Sequence, residues 1–489
     1  MAKKPGIPTM PPLRPSGREF PGRTFLEFAA LIAVCCLAPV HGAADPEITA
    51  ALSSRSRPIY PGAPVMVSVP LIDFPSGLRG GFESPSMRQS LQWNAGAMQL
   101  GNQSIGWLWE GMPPSPWQSL GTWASLALFN YLAVYIPPGQ AWMHEEWHRA
   151  VMTRRGIRSY NGVYHWNLGA EAVTVDHVAD ADLAELKREH PADFVRLMEA
   201  GLESEVESSR LMRRNNFFLG RQSRYDALTW WTWGLNSTAY LYLCSRDELD
   251  GMLEDMENRE TLESRRDFTG LDFRAWVHDL RNPREPYASG PRGRQHPAGP
   301  GVDRYLKYGD LTHGERVYLR LQAGLSLLNF VSPQYFGRDW LPGNSPWGGR
   351  GYLWNFGLFH HLTPFGFDVG GDFLIRRGKW AWVFNAQALV NGKTTLPGMG
   401  GELFRYPLTL GRTTLFVSGG ASAWLQPKDL LFRTAAARPG GSARAGAALP
   451  LRTGLELIVE ADAKTAGWEA GNVHLDAAVQ GRTGLQLRL

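Results

Sequence analysis

Cysteine is nearly absent from this chain of 489 residues: there are three, and Cys35 and Cys36 lie in an N-terminal apolar stretch. Cys244 is then a lone thiol, which excludes an internal disulfide framework and leaves stability to core burial. Its setting, TAYLYLC, reads as that of a small buried hydrophobe. A charge surplus is also lacking. The formal net charge is +4, and within residues 1–43 five cations stand against two acids, so the remainder is close to neutral. A nucleic-acid partner is excluded on that ground. There is no glycine-rich phosphate loop, no nucleophile elbow, no zinc-finger cysteine spacing and no repeat of fixed period.

What is present describes a folded chain in the cell envelope. Hydrophobic residues make up 44% and charged residues 20%, values of a globular protein whose length implies two or more units. Residues 1–43 combine a basic, proline-rich start, the apolar run TFLEFAALIAVCCLAPV and the small residues of HGAAD. This is the pattern of a signal peptide removed near Ala43 or Ala44, and its apolar run is shorter than the roughly 20 residues of a membrane-spanning helix.

Residues 44–118 are rich in Pro, Gly and Ser and read as irregular structure with short strands, among them APVMVSV and the weakly alternating LQWNAGAMQL. Residues 119–281 read as helical. They include two apolar stretches, SLGTWASLALFNYLAVYI and DALTWWTWGLNSTAYLYL, expected to be buried or to meet lipid. Residues 282–304 read as a Pro/Gly-rich linker or loop. From 305 to 489 the period switches to two, first in RVYLRLQAGLSLL and then in a series ending on TGLQLRL. In FGFDVGGDFLIRR, for example, Phe365, Phe367, Val369, Phe373 and Ile375 alternate with Asp368, Asp372 and Arg376. Serial amphipathic strands with short turns form an antiparallel meander, and closure into a barrel removes its edges. Strands of about ten residues with aromatics near their ends resemble those of outer-membrane barrels.

The chemistry is carried by HEEWH, residues 144–148. Spacing of four puts His144 and His148 one turn apart on one helix face, where two imidazole nitrogens can reach one metal ion. Glu145, about 100° around the helix, can act as proton shuttle without ligating. These residues resemble the zincin metallopeptidases, and the likeness covers this helix and the helical region to about residue 245. The metzincin continuation is absent, since Val151 and Arg154 occupy the required positions. The resemblance implies Zn2+ as cofactor and a third ligand in gluzincin fashion. Glu203 in AGLESEVESS fits that role, with Glu207 one turn on to orient a histidine, and Glu205 and Glu171 stay open as alternatives.

The expectation is therefore an α+β chain: a helical zincin-like domain followed by an antiparallel β-meander closed into a barrel. Its function would be that of a zinc-dependent peptidase, with His144, His148 and Glu203 as metal ligands and Glu145 as catalytic residue. It would hydrolyse peptide bonds of a protein or peptide substrate through a metal-held water, in the outer membrane or periplasm, with its C-terminal strands in the membrane. Two alternatives are a non-catalytic outer-membrane barrel with a structural HEEWH helix, and an intramembrane metalloprotease.

Overall fold

A long strand, β1 (Met66–Phe74), leads into the first helix, and the chain returns to pair with that strand only at its C-terminus. The structure, a computed structural model, describes residues 65–75, 79–166, 173–219, 223–343 and 351–489. The expected signal peptide and Glu171 lie outside these residues. Nine α-helices follow in chain order among the described residues. They are α1 (Met87–Glu110), α2 (Pro116–Ala133), α3 (Gln140–Arg154), α4 (Asp180–Glu189), α5 (Pro191–Leu219), α6 (Ser223–Cys244), α7 (Asp250–Arg259), α8 (Asp272–Arg281) and α9 (His313–Ser326). A two-stranded ribbon, β2 (Tyr160–Asn161) with β3 (Val175–Asp176), follows α3. The class is α+β.

Two helices stand where alternation pointed to strands. In α1, Ser86 Oγ accepts the Gln89 N–H at 3.1 Å while Gln89 Oε1 accepts the Ser86 N–H at 2.9 Å, a reciprocal cap that starts a helix. Amides are set into its inward face: Gln99 donates to Asn216 at 2.8 Å and Asn102 to Asp226 at 3.0 Å. Buried polar groups of this kind hide a helical period from a hydrophobicity count. The same device, Thr312 with Glu315, opens α9 inside RVYLRLQAGLSLL. There Leu319, Gln322, Ala323 and Ser326 face inward and Val317 and Leu321 face out, which is a period of 3.6 rather than two.

Residues 282–304 are packed, not a free linker. Arg292 grips both oxygens of Asp279 in α8 at 2.8 Å, and Arg304 binds Asp180 at 2.7 Å and the Val178 carbonyl at 2.7 Å. Cys244 is buried, as its setting suggests, and burial pushes its thiol pKa up. Of the two apolar stretches, α2 buries only Leu126, Asn130 and Ala133 and presents Trp117, Leu128 and Tyr131 outward. No described helix is long and apolar enough to cross a membrane.

Ten of the described strands form one antiparallel sheet in the order β1-β12-β11-β10-β9-β8-β7-β6-β5-β4. They run from β4 (Leu341–Gly343) and β5 (Tyr352–Thr363) through β6 (Gly366–Arg377), β7 (Trp380–Val390), β8 (Thr395–Leu410), β9 (Thr413–Pro427), β10 (Ala437–Arg452) and β11 (Leu455–Lys464) to β12 (Ala478–Arg488). Among the described residues β1 and β4 do not pair, so the sheet is open there.

The two faces of the sheet differ sharply. One carries apolar rows across neighbouring strands: Trp354, Ile375 and Trp382 are in register, as are Phe356, Phe373 and Phe384. Trp380 and Trp382 stack with centroids 6.2 Å apart. Phe384, Met399 and Val479 on this face are 46%, 64% and 72% exposed. The opposite face is charged and lies against α5. There Arg210 forks onto Asp372 at 2.6 and 2.8 Å, Arg214 meets Glu402 at 2.9 Å, and Phe218 stacks on Phe404. The sheet thus keeps its polar side toward the helices and its greasy side outward, the reverse of a soluble sandwich.

Candidate metal centre

Helix α3 carries the HEEWH segment, and it is buried along most of its length. The two acids of the motif have separate fates. Glu146 is fully buried and locked by Arg149 at 2.6 Å, Asn161 at 2.9 Å and Tyr164 at 2.9 Å, which makes it part of the framework. Glu145 has no hydrogen bond or ion pair among the described residues. Burial, with the Asp272 carboxylate adding to it, raises its pKa well above the usual range, against the pull of His144.

His144 and His148 lie on one face with ring centroids 5.0 Å apart. His148 Nδ1–H donates to the Leu197 carbonyl of α5 at 2.6 Å, which fixes the tautomer and leaves Nε2 as a lone pair. That Nε2 is buried without a hydrogen-bond partner. Burial, partly offset by Asp272, lowers its pKa to about 4, so the ring is neutral. His144 Nδ1–H donates to Glu205 at 3.2 Å, which directs its own Nε2 to the same point. Burial opposes a charge on His144, but Asp272 and Glu205 together raise its pKa well above the usual value.

The third group at that point is Asp272, the first residue of α8. Its Oδ2 is 3.2 Å from His144 Nε2 and 3.7 Å from His148 Nε2. Tyr240 of α6 holds it, accepting the Asp272 N–H at 3.1 Å and reaching the carboxylate at 3.5 Å. The turn before α8 is set by Asp267, which accepts the Gly270 N–H at 2.7 Å and the Val175 N–H at 2.8 Å. A tetrahedral zinc with bonds of about 2.0–2.1 Å spaces its ligand atoms roughly 3.3–3.4 Å apart. The 3.2 and 3.7 Å separations are near that spacing, and the two nitrogens and one carboxylate oxygen, all within 4.8 Å of one another, could hold a metal ion; they are the one such three-ligand group among the described residues. Both imidazoles are hydrogen-bonded on the side away from it, as metal-ligating rings are.

The expected ligand Glu203 is not there. Its carboxylate is paired with Arg196 at 2.8 and 3.3 Å and accepts the Gly471 N–H at 2.7 Å. Helical geometry gives the reason: residues 203 and 205 lie about 200° apart, so only one can face α3. That one is Glu205, and it orients His144 instead of ligating. Glu207, expected to orient a histidine of the motif, binds His361 at 3.0 Å and Arg210. His165 and His177 both sit on Asp176, at 2.9 and 2.7 Å.

Gly201 shares the Glu205 face, one turn earlier. A Cβ there would overlap His144 Nε2 and the ring carbons beside it. The absent side chain is what lets α5 lie against the imidazole, and this accounts for a glycine in mid-helix. Asp272 had no comparable signal. It is 128 residues from His144 and begins an ordinary amphipathic helix.

No family model, curated protein or solved structure matches the chain.

Proposed function

We propose that the chain is a zinc-dependent peptidase whose ion is held by His144, His148 and Asp272, with Glu145 as the catalytic carboxylate. The observation that carries this reading is the convergence of the two Nε2 atoms and Asp272 Oδ2 at metal-ligand spacing beside an acid with no partner of its own. A bound zinc ion would act as a Lewis acid and make a neutral-pH nucleophile available. With a cation bound, Glu145 would return to its carboxylate form, take the proton of the attacking water and deliver it to the leaving amine. Glu205 and the Leu197 carbonyl hold the two rings, and Tyr240 holds Asp272. A second reading, an ion with a purely structural role, is favoured by burial: His144 and Asp272 are each 7% exposed and His148 is fully buried.

Glu145→Gln separates the two. The amide leaves the ligand set intact and removes the base. Zinc content measured by mass spectrometry should remain at wild-type level while casein cleavage falls about 10²- to 10⁴-fold. Cleavage at the wild-type rate in this variant would leave only the structural ion.

We place the strand region, by the same reasoning, in the outer membrane as a barrel-like sheet. The support is its outward rows of Trp, Phe and aliphatic side chains over a charged interior. Membrane fractions of the producing cell should retain the protein after a high-salt and carbonate wash. Recovery in the wash would remove this placement.

A further inference from the structure

A polar cavity of two lobes, about 200 and 150 Å³, lies between α1, α5 and the charged face of the sheet. Both lobes are lined by Arg88, Leu211, Arg214, Glu402 and Arg444. The larger holds several carboxylates, and each has a cation. Asp372 takes Arg210, Glu402 takes Arg214, and Glu469 lies 3.5 Å from Arg444. Glu207 and Asp368 flank His361 at 3.0 and 3.6 Å. These two carboxylates outweigh the effect of burial and raise the His361 pKa to about 9, so that ring is itself cationic.

When these pairs are drawn, two guanidinium groups on the wall are left over. Arg213 is 5% exposed, its Nε is buried without a partner, and among the described residues no carboxylate stands within ion-pair distance. Its guanidinium lies 5.7 Å from the Tyr335 ring, and Asp372 and Glu207 attract it from beyond ion-pair distance. The site is built for it, since a Cβ on Gly357 of β5 would occupy the place of Arg213 Nη1. Arg88, in the first turn of α1, likewise has no hydrogen bond or ion pair among the described residues. It is half-buried, and burial with the nearby Arg444 and Arg482 depresses its pKa to about 10, against the pull of Asp462 and Glu460. A guanidinium drawn out of water without a direct ion pair is costly, and two such groups lining one cavity suit a polyvalent anion.

We propose that this cavity binds a phosphate-class oxyanion whose charge is met by Arg88 and Arg213. Guanidinium forks suit such a group because they donate two parallel hydrogen bonds to it. The volume exceeds what one orthophosphate fills, since a single water needs about 10–15 Å³ on this measure, so a phosphate on a larger polar body fits. The site is independent of the metal centre, which uses other faces of α5.

The test uses the full chain in detergent, radiolabelled inorganic phosphate and equilibrium dialysis in a chloride buffer of constant ionic strength. The expected result is saturable uptake of one phosphate per chain, with a melting temperature that rises as phosphate is added. Arg88→Met and Arg213→Met should each weaken uptake at least tenfold with zinc content unchanged, which separates the site from an anion on the metal. Arg213→Met should melt no lower than wild type when phosphate is absent, because a buried cation without an ion pair has been removed. Gly357→Ala, which displaces Arg213 without deleting it, should weaken uptake as well. Absent or non-saturable uptake by wild type, meaning an adventitious ion only, overturns the proposal, as does full uptake in both arginine variants. The wild-type measurement decides even if a variant fails to fold.

Discussion

Asp272→Asn is expected to lower bound zinc from about one ion per chain to less than about a tenth, with the fold retained. The substitution keeps the shape and the Tyr240 contacts but replaces an anionic ligand by a neutral amide oxygen. Two imidazoles alone then face the ion. Peptidase activity, if carried by this centre, should disappear with the metal and not return at micromolar added zinc. Glu203→Gln provides the contrast. It should leave zinc content unchanged and instead cost about 1–3 kcal/mol in urea unfolding, the scale of a hydrogen bond to a charged group. The cost is limited because Glu199 keeps its own bond to Arg196 at 2.8 Å. Metal loss in Glu203→Gln with retention in Asp272→Asn would invert the ligand assignment.

Gly201→Ala should be damaging in a direction that helix propensity alone does not give. At an unobstructed helical position alanine is favoured over glycine by about 1 kcal/mol. Here the new methyl would overlap the His144 ring at the atom meant for the metal. The ring cannot step aside easily, since Glu205 holds its other nitrogen at 3.2 Å and α3 is buried around it. The expected outcome is a loss of about 1–3 kcal/mol, typical of overpacking, together with loss of most of the bound zinc. Thermal unfolding and metal analysis of the same preparation check both parts. A variant more stable than wild type with a full complement of zinc would mean that α5 does not press on the imidazole as described.

These two experiments touch residues that differ in how visible they are before folding. His144, Glu145 and His148 are legible because their geometry is local: four residues of helix suffice to put two imidazoles on one face. The meander is legible for the same reason, since a period of two along β6 sorts Phe373 and Ile375 from Asp368 and Asp372 with no knowledge of the partner strands. The helices α1 and α9 are less legible, because Gln, Asn, Ser and Glu interrupt their buried faces and a hydrophobic count passes over them. Only their capping residues mark them.

A short-range period or a local setting is written in the chain before it folds, and so the HEEWH helix, the amphipathic strands and the lone buried thiol could be read from it. The tertiary structure alone decided what completes each pattern. It chose Asp272 over Glu203 by bringing the start of α8 against α3, and it turned the apolar face of the sheet outward by lodging α5 against the charged one. The physical reason is common to both. Which acid meets a histidine pair, and which side of a sheet is dry, depend on contacts between segments more than a hundred residues apart, and periodicity within a segment carries no record of them.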